Sequence, residues 1–273
     1  MRDVVYSQYS PEQVFSGSQV ISEGLDDWKH VPARERWSFA KRNLAKRLHG
    51  DGPPIDAVTA HMWYGWHELT DRPSKYITYL RHPVRRYISF YNHIRGQDGH
   101  PCSEIIRRDD LGLKEFINRD NLELPKLQEN LQTKLLTGNF APTVETLRQA
   151  VENLQTHFLV GLTESFDADL LHIAGQVGWS TPLYWRRNIS KKHVSVEELD
   201  ASLIHEIAQR NHLDIALYEY VRANRARPEK GIGHYTFQAM QVVRNFSPVS
   251  RVRQALGRAF GARGDLPGWL RPR

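Results

Sequence analysis

Apolar residues along the chain fall into stretches of two different periods. Val4, Val5, Tyr9 and Phe15 are spaced as the remains of one helical face, so residues 1–15 read as helix. Residues 33–49 also read as helix and end at the breaker run Gly50 to Pro54. Residues 55–63 read as a short buried strand, and residues 74–83 as a second strand stopped by Pro83. Proline suits the first turn of a helix, and Val84, Tyr87, Ile88, Tyr91 and Ile94 continue from it at helical spacing. Residues 157–164 read as a third strand, followed by a helix over 167–178. The longest helical pattern covers 196–223, with Leu199, Leu203, Ile207, Leu213, Ile215, Leu217 and Tyr218. Strands alternating with helices predict an α/β fold with parallel strands. After Ala223 the pattern fades into Arg, Gly and Pro, which predicts a domain over 1–223 and a tail over 224–273. Within that tail, residues 249–262 have the makings of a short basic amphipathic helix. No repeat of solenoid period is present.

Charge sharpens this division. The chain of 273 residues carries a net +6, but residues 222–273 hold 11 Lys/Arg against 2 Asp/Glu. The tail is therefore expected to be partly disordered and solvated, with a weak contact to an anionic membrane or polymer as the functional alternative. At 40% hydrophobic and 25% charged residues the chain is neither collagen-like nor wholly disordered. Its one cysteine, Cys102, rules out a disulfide framework within the chain and a Cys-rich zinc site. No apolar run reaches a membrane span and the first residues have no apolar signal core, so a cytoplasmic location is the default expectation.

Three stretches carry candidate chemistry. In residues 79–93 a strand ends at Arg81 and a helix begins at Pro83. Parallel sheets bind ligands beyond the carboxyl ends of their strands, where helices start. Arg81 is placed there, and Arg85 and Ser89, four apart, share a helix face with His82, Arg86 and His93. A forked guanidinium and a hydroxyl can hold one phosphate from two sides. The bland alternative is a solvated basic face. In residues 59–69, His61 lies at the end of the preceding strand, on the same rim, and can take a proton from a hydroxyl near neutral pH. His67 is a second candidate, while Trp63, Tyr64 and Trp66 fit a core as readily as a sugar platform. The third stretch, 184–193, is basic and irregular and suits closure over an anion.

In this order, the three stretches resemble the carbohydrate sulfotransferases that include the hexuronic-acid 2-O-sulfotransferases and their bacterial relatives. The family's Arg–Asp–Pro strand end with a following Ser is matched by Arg81–His82–Pro83 and Ser89. Its Gly–His element is matched by Thr59–Ala60–His61. Residues 129–138, 157–167, 211–220 and the Arg187–Asn188 stretch add to the likeness, which covers about residues 3–223. The resemblance implies a P-loop-like three-layer sandwich with a central parallel sheet. It implies transfer of a sulfuryl group from 3′-phosphoadenosine 5′-phosphosulfate to a saccharide hydroxyl, with an acidic glycan suited to the basic rim. His61 would be the catalytic base. Arg81 and Ser89 would hold the 3′-phosphate, with Arg85 or Arg86 assisting and Arg187 closing the loop. Neither a metal nor nucleic acid enters this scheme.

The sequence departs from the family twice. His82 stands where the family has Asp, which changes how the helix start is capped. The family's opening strand and its Lys–x–x–Gly–Thr phosphosulfate loop have no counterpart here. Met1 falls about where that loop would pass into its helix, so the central first strand is expected to be missing because the chain starts late. The competing expectation is a degenerate, non-catalytic protein that binds nucleotide or anionic glycan. A nucleotide kinase is disfavoured because it too needs a Gly-rich phosphate loop.

Overall fold

The periodicity first fails at Pro11. The computed structural model describes residues 1–28, 30–97, 101–119, 123–185, 194–225 and 232–246. Helix α1 (Arg2–Gln8) stops early, because Ser10 and Gln13 form a capping box around a single 3-10 turn started by Pro11. The chain leaves this turn as strand β1 (Val14–Ser16), all three residues buried. The helix expected over 1–15 is thus corrected to a helix, a turn and a strand. Helices α2 (Gly17–Gly24) and α3 (Ala33–Leu48) follow, then β2 (Ala57–Thr59), β3 (Tyr76–Leu80) and α4 (Pro83–Arg95). Five helices lead to the last strand: α5 (Pro101–Arg108), α6 (Leu113–Ile117), α7 (Glu123–Gln128), α8 (Leu131–Thr137) and α9 (Val144–His157). Strand β4 (Phe158–Leu162) is succeeded by α10 (Phe166–Val177), α11 (Ala201–Arg210), α12 (His212–Asn224) and α13 (Ile232–Phe246).

The fold is mixed α/β, dominated by helix, with two small parallel sheets. β1 pairs with β2 from Val14↔Ala57 to Ser16↔Thr59, and β3 pairs with β4 from Tyr76↔Phe158 to Leu80↔Leu162. Both pairs are parallel, as the strand–helix alternation predicts. Each sheet stops at two strands among the described residues, so β2 and β3 do not pair with one another. Parallel neighbours need not be consecutive in sequence, so strand alternation predicts direction but not which pairs join. Gly161 in β4 is required by close packing: a Cβ there would lie 2.5 Å from the Tyr79 ring.

Helix α4 is built as expected. Pro83 fills its first turn, and Val84, Tyr87, Ile88, Tyr91 and Ile94 are buried along one face. They pack with Ile106, Leu113, Phe116 and Ile207 from α5, α6 and α11. Each such buried side chain contributes about 1.5–3 kcal/mol, which anchors the opposite face of α4 toward the candidate site. The single helix expected over 196–223 is two helices. Asn211 separates them, fully buried, with its amide donating to Ile207 O at 2.8 Å. A second core joins Leu80 and Leu162 to Leu136, Leu154 and Leu217. Residues 232–246, which the fading pattern places in the basic tail, form α13 against α10, with Phe237 buried beside Val4 and Leu170. The helix expected over 249–262 lies outside the described residues. Among the described residues no helix is long and apolar enough to cross a membrane.

Candidate functional site

The site begins where β3 runs out. Leu80 is buried at the end of β3, Arg81 and His82 follow it, and Pro83 opens α4. The Arg81 backbone is held on both polar groups by one side chain. Its N–H donates to Gln132 Oε1 at 2.8 Å, and its carbonyl accepts from Gln132 Nε2 at 3.1 Å. The Arg81 guanidinium, half-buried, has no hydrogen-bond partner or ion pair among the described residues. Burial lowers its pKa, the Glu164 carboxylate acts against that, and Arg85 adds to the lowering. An arginine so placed stays charged at neutral pH and can turn its fork to an anion.

Glu164 also settles the departure at position 82. His82 makes no side-chain cap on α4. Its backbone N–H instead donates to Glu164 Oε1 at 3.1 Å, so a carboxylate from the end of β4 serves the helix start. The His82 ring lies edge-on to Tyr218, with its Nδ1 buried and unpartnered.

Along α4, Arg85, Ser89 and His93 follow one another every four residues, a stripe about 12 Å long at 1.5 Å per residue. Arg85 is exposed and only 3.9 Å from Glu197, a weak surface pair that an incoming anion can replace. The Ser89 hydroxyl has no hydrogen bond among the described residues. Arg86 is turned away from this stripe. It donates to Gln128 Oε1 at 2.9 Å, to the Gln128 carbonyl and to Asn211 Oδ1, so it serves the interior and not the rim.

His61 stands two residues past β2. Its ring meets Trp37 edge to face at 5.7 Å. The side chain is exposed by area, with surrounding protein crowding the ring. That crowding lowers its pKa, with the charge of His93 as the smaller cause. The influence of His93 ties the far end of the α4 stripe to His61, as that of Arg85 ties its near end to Arg81. Arg85, Ser89 and His93 thus share one stripe of α4, Arg81 lies just before that helix, and the charge of His93 reaches His61.

His67 does not join them. Its Nδ1 is 3.0 Å from the Tyr76 hydroxyl and its ring 4.9 Å from that of His157. Tyr76 and Phe158 open β3 and β4, so His67 sits at the end of the sheet opposite to Arg81. The nearby aromatic run is packing: Trp66 is buried, Trp63 meets Trp66 and Phe140 edge to face, and Tyr64 stacks on Phe158. Arg187 and the rest of 186–193 lie outside the described residues.

Two residues had no assigned role in the sequence, Gln132 and Glu164. They lie in residues 129–138 and 157–167. Gln132 stands in the first turn of α8 among other polar residues, Thr133 and Lys134, so no local sign marks it out. No group of three or more His, Cys, Asp or Glu among the described residues is arranged to hold a metal ion. No family model matches the chain, and a search of the curated proteins returns no match.

Proposed function

We propose that the protein transfers a sulfuryl group from 3′-phosphoadenosine 5′-phosphosulfate to a hydroxyl of a saccharide, on a fold of the P-loop-like three-layer kind. The observation that carries this reading is the Arg81 guanidinium, half-buried at the end of β3 and without a hydrogen bond or ion pair among the described residues, followed on α4 by Arg85, Ser89 and His93, whose charge lowers the pKa of the solvent-exposed His61. In this reading Arg81 and Ser89 grip the 3′-phosphate, and Arg85 adds charge from the exposed face. His61, neutral at pH 7, takes the proton from the acceptor hydroxyl. The acceptor oxygen then bonds to sulfur while the bridging bond from sulfur to the phosphate oxygen breaks. The electron pair leaves with 3′-phosphoadenosine 5′-phosphate, and the proton stays on His61. The basic rim favours an acidic glycan over a neutral one.

A second reading is supported by one specific observation: the sequence holds no Lys–x–x–Gly–Thr loop to take the 5′-phosphosulfate. On that reading the site binds the nucleotide or an anionic glycan without transfer. Radiolabelled 3′-phosphoadenosine 5′-phosphosulfate offered with a panel of acidic and neutral glycans separates the two. Transfer predicts label in a glycan, lowered by about 10²–10⁴-fold in His61→Ala while nucleotide binding persists. A chain that binds nucleotide but labels no glycan is the non-catalytic protein.

A further inference from the structure

We infer that Gln132 is the positioning residue of the Arg81 anion site, held in that task by the buried carboxylate of Asp214. The inference rests on the reading of Arg81 as the phosphate clamp. In an extended chain the N–H and C=O of one residue project to the same side. A carboxamide offers one acceptor and one donor side by side, so Gln132 meets both groups of Arg81 as a neighbouring strand would. The two residues are 51 apart in sequence. This pairing fixes where the Arg81 Cα stands and leaves only side-chain rotation free.

Gln132 is in turn fixed from α12. Its backbone N–H donates to Asp214 Oδ2 at 3.0 Å, and the Thr133 N–H and hydroxyl both donate to Asp214 Oδ1 at 2.8 Å. Asp214 therefore caps the first turn of α8 from another helix, and it is fully buried. Asn130 closes the arrangement: its Oδ1 accepts from the N–H groups of Leu213 and Asp214 at 3.0 and 3.2 Å, and its own N–H donates to Asn211 Oδ1. Asp214 also acts on Arg86 and Lys134, opposing the lowering of their pKa by burial, so its charge is balanced nearby. A hydrophobic core needs none of these polar groups. Among them it is Gln132, seated on Asp214 through its own backbone N–H, that joins α8 and α12 to the backbone of Arg81.

The test is a double-mutant cycle read by calorimetry with 3′-phosphoadenosine 5′-phosphate, using the full chain, Gln132→Met, Arg81→Ala and the pair. Gln132→Met should weaken binding about tenfold in the parent and add nothing in the Arg81→Ala background. Its affinity for adenosine 5′-phosphate, which lacks the 3′-phosphate, should stay as in the parent. Thr133→Val, which loses a bond to the same Asp214 without touching Arg81, should lower thermal stability and leave nucleotide affinity unchanged. Equal weakening by Gln132→Met in both backgrounds, or equal loss of affinity in Thr133→Val, would overturn the positioning role. So would parent-like binding by a folded Gln132→Met. Parent-like binding by Arg81→Ala would instead remove the clamp on which the inference rests.

Discussion

The two ends of the candidate site are built on different principles. The Arg81 end stands on a five-residue parallel pair and a buried polar network in which Gln132, Asp214, Asn130 and Asn211 satisfy one another across three elements. The His61 end stands on a three-residue pair, β1–β2, with the Thr59 hydroxyl buried and unpartnered. It is held by packing: Phe15, Ile21, Ala40, Leu44 and Trp66 form its core, and the His61 ring touches Trp37 by an edge. Directional bonds fix the residue that is proposed to meet a phosphate at one place. Apolar packing surrounds the proposed base, and crowding lowers the pKa of its imidazole.

That contrast can be broken by substitution. Asp214→Ala should be the most damaging change, costing about 3–5 kcal/mol in urea unfolding, because it strands three buried donors and the charges of Arg86 and Lys134. A shape-conserving change in the packed half, Ile21→Leu, should cost less than about 1.5 kcal/mol by the same measurement. Equal costs would mean that the two halves do not differ in kind. At the clamp, Ser89→Ala removes one neutral hydrogen bond and should weaken binding of 3′-phosphoadenosine 5′-phosphate by about tenfold or less, with stability unchanged.

The smallest effect concerns pH. Crowding and then His93 hold His61 below the ordinary histidine value of 6.5, so its neutral form persists to lower pH than in an unfolded chain. As pH falls through 6.5 the unfolded chain takes up a proton first, so this group costs stability toward acid. The acid limb of transfer should then lie below pH 6.5. His93→Gln removes the smaller cause and should raise the His61 pKa in an NMR titration. An unchanged titration would separate His93 from His61.

What was legible in the sequence is what local chemistry decides. Pro83 and the spacing of Val84 to Ile94 mark the strand-to-helix junction at Arg81, and the structure has it there. β1 was hidden, because three buried residues after a 3-10 turn are too few to display a period. Neighbours on a helix point about 100° apart, and no local pattern sends Arg85 to the rim and Arg86 inward; Gln128 and Asn211 decide it. The pairing of Gln132 with Arg81 joins residues far apart and leaves no local pattern at all. Phe237 and Gln241 of α13 were masked by the basic composition around them, although Gln241 pairs with both backbone groups of Tyr184.

The most direct test of the site is calorimetric binding of 3′-phosphoadenosine 5′-phosphate to the chain and to Arg81→Ala, with thermal unfolding of both as the control for folding. The account predicts measurable binding, reduced by about 10–100-fold in Arg81→Ala at an unchanged unfolding temperature. No binding by the folded chain, or equal binding by both proteins, would contradict it.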